Sequence, residues 1–125
     1  MKKLFFFDQI KENKDIGFLP HHWRLERVGT ISEVLNHPFF CMSGEKPDVF
    51  MARPGSPVSE MAVFLRYLKR HRPNVPFVLV IHDDRHEEVW RTLLKGVDIL
   101  LLKRASVSGY LDHFTNAMSK HIQTS

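Results

Sequence analysis

The chain reads as an open α/β fold, a doubly wound sheet of five parallel strands with helices on both faces. Three observations predict it. Short, wholly apolar runs at Leu4–Phe7, Val49–Ala52 and Phe77–Ile81 suit strands covered on both sides. Segments with helical spacing and recognisable caps stand between them. Strands and helices alternate five times along the chain, which calls for right-handed crossovers within one sheet. In such sheets ligands gather at the carboxyl ends of the strands. The loop after Val49–Ala52, which runs Arg53-Pro54-Gly55-Ser56-Pro57, is therefore the first place to look for a site.

Taken in order, the first strand, Leu4 to Phe7, ends at Asp8 and Gln9. From Ile10 to Pro20 only Ile10, Ile16 and Leu19 keep helical spacing, and Gly17 interrupts, so any helix there is short. Trp23 to Val28 alternates as an edge strand does. Thr30-Ile31-Ser32-Glu33 is a capping box, opening a helix with Ile31, Val34 and Leu35 that ends before Pro38. Phe39 to Met42 has no clear period, and Ser43-Gly44-Glu45 turns the chain into the central strand.

Ser56-Pro57 places a cap before a proline at the first helical position. Met61, Phe64, Leu65 and Leu68 then line one face up to Arg72-Pro73. Phe77 to Ile81 is the fourth strand, with His82-Asp83 at its carboxyl end. Asp84 to Glu87 forms a second capping box for a helix carrying Val89, Trp90, Leu93 and Leu94, with Trp90 on its exposed side and Gly96 as its stop. Val97 to Leu102 is the fifth strand, ending at Lys103. Ser106 or Ser108 caps a last helix bearing Val107, Leu111, Phe114, Met118 and Ile122.

At 125 residues the chain is expected to form a single domain, 1–125. Its single cysteine, Cys41, rules out an internal disulfide and suits a reducing compartment. Asp8 cuts the apolar run after Met1-Lys2-Lys3 too short for a signal peptide. No stretch approaches the roughly 20 apolar residues of a membrane span. A cytoplasmic address is expected. The formal charge of +4 raises the question of nucleic acid. The one basic run, Lys69-Arg70-His71-Arg72, sits at a helix C-terminus, where cations favour the dipole. It lacks interleaved aromatics in sequence, so direct nucleic-acid binding is not expected.

Over nearly its whole length, and best from Lys46 to Lys103, the chain resembles a receiver domain of the bacterial two-component response regulators. The likeness rests on Lys46-Pro47-Asp48 before the third strand and Pro57 after its loop. Val75-Pro76 before the fourth strand and Gly96-Val97-Asp98 leading to Leu102-Lys103 complete it. The resemblance implies a flavodoxin-like fold with strand order 2-1-3-4-5. It also implies a phosphoryl acceptor aspartate after the third strand, an acidic pair holding Mg²⁺ after the first, a switch hydroxyl after the fourth and a lysine after the fifth.

Position by position, Asp8 matches the first acid and Lys103 the lysine. Gln9 stands at the second acid, Arg53 at the acceptor, and Ile81 at the switch hydroxyl with His82 beside it; Arg104 replaces the usual proline. No Asp or Glu lies between Val49 and Val58, so no small slip restores an acceptor. Gln9 leaves Mg²⁺ one carboxylate at most, and Mg²⁺ dehydrates reluctantly. A degenerate receiver pocket without phosphoryl chemistry is the expectation.

Two readings compete for the altered pocket. In one, Arg53 takes the metal's place and pairs bidentately with Asp8. In the other, Arg53, Lys103 and Arg104 outnumber the carboxylate and hold an anionic metabolite or nucleotide. No metal and no cofactor are expected. His82 and His86 lie on different elements, His21-His22 reads as a loop pair, and Cys41 near His37 has no oxyanion donors. No glycine loop follows the first strand, so no enzyme is expected. The resulting expectation is a non-phosphorylatable signalling module, probing a partner or a second copy of itself, as in transcriptional regulation. The surface near Trp90, Val97–Leu102 and the last helix would serve for dimerisation, and an output domain could lie outside this chain.

Overall fold

In the computed structural model, residues 2–10, 23–38, 46–55, 57–81 and 83–103 are described. Five strands, β1 (Lys2–Asp8), β2 (Trp23–Val28), β3 (Val49–Arg53), β4 (Phe77–Ile81) and β5 (Ile99–Lys103), form one sheet. All neighbours pair in parallel, in the order β2-β1-β3-β4-β5. This is the order of flavodoxin-like sheets. Helices α1 (Ile31–Asn36), α2 (Val58–His71) and α3 (Glu87–Leu93) occupy the β2-to-β3, β3-to-β4 and β4-to-β5 connections, with a 3₁₀ turn at Asp84–His86 ahead of α3.

Burial explains the strand compositions. Every residue of β3 and β4 is buried, whereas the edge strands β2 and β5 are only partly so. Alternation then divides the core in two. On one face Phe5, Phe7, Phe50, Ala52, Phe77, Leu79 and Ile81 meet Val34 of α1, Leu65 and Leu68 of α2, and Trp90 of α3. Phe50 stacks on Phe5 and on Phe77 with centroids 5.3 and 4.5 Å apart, an aromatic row across three strands. On the other face Leu4, Phe6, Val49, Met51, Val78 and Val80 are equally buried, with Trp23, and none of the three described helices takes part. The helical cover expected there, the segment from Ile10 to Pro20 after its first residue, the piece Phe39–Met42 and the last helix with its Ser106 or Ser108 cap lie outside the described residues.

Local signals act largely as read. The Thr30 hydroxyl accepts from the Glu33 amide at 3.1 Å, and the Glu33 carboxylate reaches back to the Gly29 amide at 3.3 Å. Asp48, ahead of β3, accepts from the Lys3 amide at 2.7 Å and donates its own amide to the Lys3 carbonyl at 2.9 Å, fastening β3 to β1 at the amino end of the sheet. Gly96 adopts a φ of 82°, the left-handed conformation that glycine accepts without strain.

Four details differ from expectation, besides a fifth strand that begins at Ile99 rather than Val97 and includes Lys103. Pro57 is the N-cap of α2 rather than its first residue, and Ser56 lies outside the described residues. Asp83, not Asp84, caps the next turn, accepting from the Arg85 amide at 3.0 Å and shaping the 3₁₀ turn. Trp90 is buried, because its large ring joins the core beneath α3, while Val89 faces out. Lys69 turns inward from the basic run. Its ammonium donates to the carbonyls of Pro73 and Val75 at 3.1 and 2.8 Å and lies 5.1 Å from the centre of the Phe77 ring. It thereby ties the chain beyond α2 to the helix's last turn.

Removing the central ring of the aromatic row should create a cavity that three strands cannot close. Phe50→Ala is expected to destabilise the fold by about 3–5 kcal/mol, measured as a lowered urea midpoint with an unchanged m-value.

Candidate functional site: a buried arginine–aspartate–arginine cluster

The crossovers carrying α1, α2 and α3 all step the same way along the sheet, while the step from β1 to β2 runs the opposite way. The reversal lies between β1 and β3, the switch point where open α/β sheets offer a crevice. At the carboxyl ends of these two strands Asp8 and Arg53 stand opposite one another in register.

Arg53 closes on Asp8 bidentately: Nε donates to Oδ1 at 3.0 Å and Nη2 to Oδ2 at 2.8 Å. Both residues are 1 % exposed. Arg27, at the end of β2, also donates through Nη2 to Oδ2, and the Ile10 amide donates to Oδ1 at 3.1 Å. The Phe6 ring lies beneath both guanidinium groups, its centre 5.9 Å from Arg27 Cζ and 5.4 Å from Arg53 Cζ. Such stacking suits a planar, delocalised cation better than an ammonium.

A carboxylate offers about four lone-pair directions. Asp8 already receives at least four donors. A metal ion would have to displace a buried guanidinium to reach it. Gln9 reinforces the arrangement: its amide donates to the Arg53 carbonyl at 3.0 Å, and its Oε1 accepts from the Gly55 amide at 2.8 Å. Gln9 thus holds the β3–α2 loop as a neutral amide.

The other residues that the sequence reading grouped with Asp8 and Arg53 are dispersed. Ile81 belongs to the opposite face, in the core under the helices. Lys103 is its register partner on β5 and shares strand parity with Ile99 and Leu101, which pack against that same core. The Lys103 side chain is exposed, and among the described residues its ammonium makes no hydrogen bond or ion pair. Its charge helps hold Glu87 below the usual carboxylate range, where the Arg91 hydrogen bond at 3.0 Å is the larger cause. Strand alternation therefore sets Arg53 and Lys103 on opposite faces of the sheet. His82 and Arg104 lie outside the described residues.

Arg27 is the participant that sequence reading missed. Its alternation within an edge strand was visible, but its partner depends on the β1–β2 register, which pairs Arg27 with Phe6 and leaves its long side chain to reach Asp8 two residues on.

Beside the cluster a cavity of about 180 Å³ is lined by Ile10, Pro54, Gly55, Val58, Asp83, His86 and Trp90. Its one carboxylate is engaged: Asp83 Oδ2 accepts from Arg85 Nη2 at 2.8 Å. Among the described residues no group of three or more His, Cys, Asp or Glu side chains is placed to hold a metal ion. His37 of the sequence's Cys41–His37 pair instead contacts Glu26 and stands edge-on to Phe5. No described helix is long and apolar enough to cross a membrane. Comparison with protein-family models, curated proteins and solved structures finds no match to this chain.

Two outcomes follow. Arg53→Met strips a buried carboxylate of its main partner and should cost about 3–5 kcal/mol in chemical denaturation. Adding Asp8→Leu should recover most of the loss, since the remaining charge, Arg27, is partly exposed and can turn to water. The second concerns pH. The Arg85 hydrogen bonds lower the Asp83 pKa from 3.8 to about 2. A depressed folded-state pKa stabilises above the unfolded value, and that contribution is lost as pH falls through the folded one. Asp83 should therefore titrate near 2 by carboxyl-carbon NMR, and Arg85→Ala should raise its midpoint.

Proposed function

We propose that this chain is a receiver-like regulatory domain that cannot be phosphorylated and that acts by binding a protein partner or a second copy of itself, in cytoplasmic signalling or transcriptional control. The observation that carries the reading is the closure of Arg53, at the acceptor position, on Asp8, the only acid left of the metal-binding pair. Phosphoryl transfer to a carboxylate needs a free nucleophilic oxygen and a cation to offset the incoming charge. Here the acceptor position holds a cation, and the remaining carboxylate is spent on hydrogen bonds. The arrangement favours a fixed pocket over the anion sensor, since Arg53 is buried against Asp8 and Lys103 belongs to the other face.

The same reading takes the sheet as doubly wound. The described helices follow crossovers that run one way along the sheet. The right-handed rule sends the reversed β1-to-β2 crossover across the Leu4, Phe6, Met51 and Val80 face, whose burial requires a cover. A resemblance to receivers supplies the functional class, and the sheet order and the site chemistry support it.

The test is an amide NMR titration with Mg²⁺ followed by beryllofluoride, which imitates an aspartyl phosphate. No shift at Asp8, Arg53 or Lys103 is expected, and saturable shifts there would overturn the reading. Arg53→Asp alone should not restore labelling by a phosphoryl donor, because Gln9 still weakens the metal site.

A further inference from the structure

Helix α2 presents a second stripe opposite the one it buries. Met61, Ala62, Leu65 and Leu68 turn to the core, with Lys69 folded back beside them. Val63, Arg66, Tyr67, Arg70 and His71 fall at i, i+3, i+4, i+7 and i+8, which places them on one helical face. All five are exposed. Val63 is 68 % and Tyr67 49 % exposed, large values for side chains of that type. The Tyr67 ring stands edge-on to the His71 imidazole with centroids 4.4 Å apart, which steadies the phenol over the last turn. Among the described residues neither the Arg66 nor the Arg70 side chain makes a hydrogen bond or an ion pair. The stripe spans about 12 Å of helix axis.

We propose that this stripe is a docking surface for an acidic amphipathic helix of a partner protein. Tyrosine and arginine are the residue types that carry most binding energy at protein interfaces. Val63 and Tyr67, one turn apart, form the apolar seam that a partner helix packs along. Arg66 and Arg70 flank that seam, placed to meet carboxylates, and the one acid on this side, Glu60, stands a turn before it. Charge complementarity decides against the other occupants. An antiparallel pair of α2 helices from two copies would bring four arginines together against two Glu60 carboxylates, which reach only the ends of the seam. A phosphate backbone would gain nothing from Val63 and would meet Glu60 at the stripe's end. The aromatic that the basic run lacks in sequence is supplied here by Tyr67, while Lys69 has left the run for the interior.

The proposal rests on the domain being a binding module and does not depend on the state of its acceptor site. The test titrates the isotope-labelled chain with an about 20-residue synthetic helix bearing leucine on one face and glutamate beside it. Saturable shifts confined to Val63–His71 are expected, absent with a lysine version of the peptide. Arg66→Glu with Arg70→Glu should weaken binding about tenfold or more, and Tyr67→Ala should weaken it with the charges intact; unchanged sheet amides would show that the variants fold. Equal binding of both peptides, no saturable shift at the stripe, a DNA duplex binding there in place of the acidic helix, or self-association through α2 would each overturn the proposal. Beryllofluoride shifts at Asp8 would overturn the pseudo-receiver reading and leave this surface standing, so the two can fail separately.

Discussion

The carboxylate of Asp8 and the guanidinium of Arg53 are both withdrawn from water at the point where the sheet reverses its winding. Taking either charge out of water alone costs several kcal/mol, and the attraction between them offsets this only with good geometry and filled hydrogen-bond sites. Those conditions are met by three neighbours, Arg27 from β2, the Ile10 amide after β1 and the Phe6 ring beneath, and by the register that sets Asp8 opposite Arg53. The cluster therefore fastens β2, β1 and β3 together at their carboxyl ends. It also makes their register matter, since a slip of one residue would turn a buried charge to the other face.

The amino end of the sheet is held by different means. Asp48 exchanges hydrogen bonds with the Lys3 backbone, and Lys69 gathers the carbonyls that follow α2. Between these two ends the stacked rings of Phe5, Phe50 and Phe77 fill the helix-covered side. Each charge drawn inside is matched by specific partners, as buried polar groups must be. At the switch point Asp8 and Arg53 are occupied by one another, while the outer face of α2 stays exposed. There α2 carries two arginines without described partners beside exposed Val63 and Tyr67.

Much of this was legible in the order of residues. Apolar runs such as Phe77–Ile81 can be satisfied only as strands buried on both faces, and the Thr30–Glu33 box opens its helix through contacts a few residues long. The absence of any acid between Val49 and Val58, and glutamine at position 9, are chemical facts that no folding alters. Other features needed the tertiary structure, because they are set by distance across the sheet. Arg27 reaches Asp8 through strand pairing 19 positions apart in sequence, and Lys103 is parted from Arg53 by the alternation of faces. Trp90 turns inward because of the 3₁₀ turn and the core beneath it, and Lys69 because carbonyls left unpaired beyond α2 lie within its reach. Residue type and local spacing were enough to read the described strands and helices. Which charges meet, and which face of each described helix stays exposed, depend on how distant segments pack, and local spacing does not reach that far.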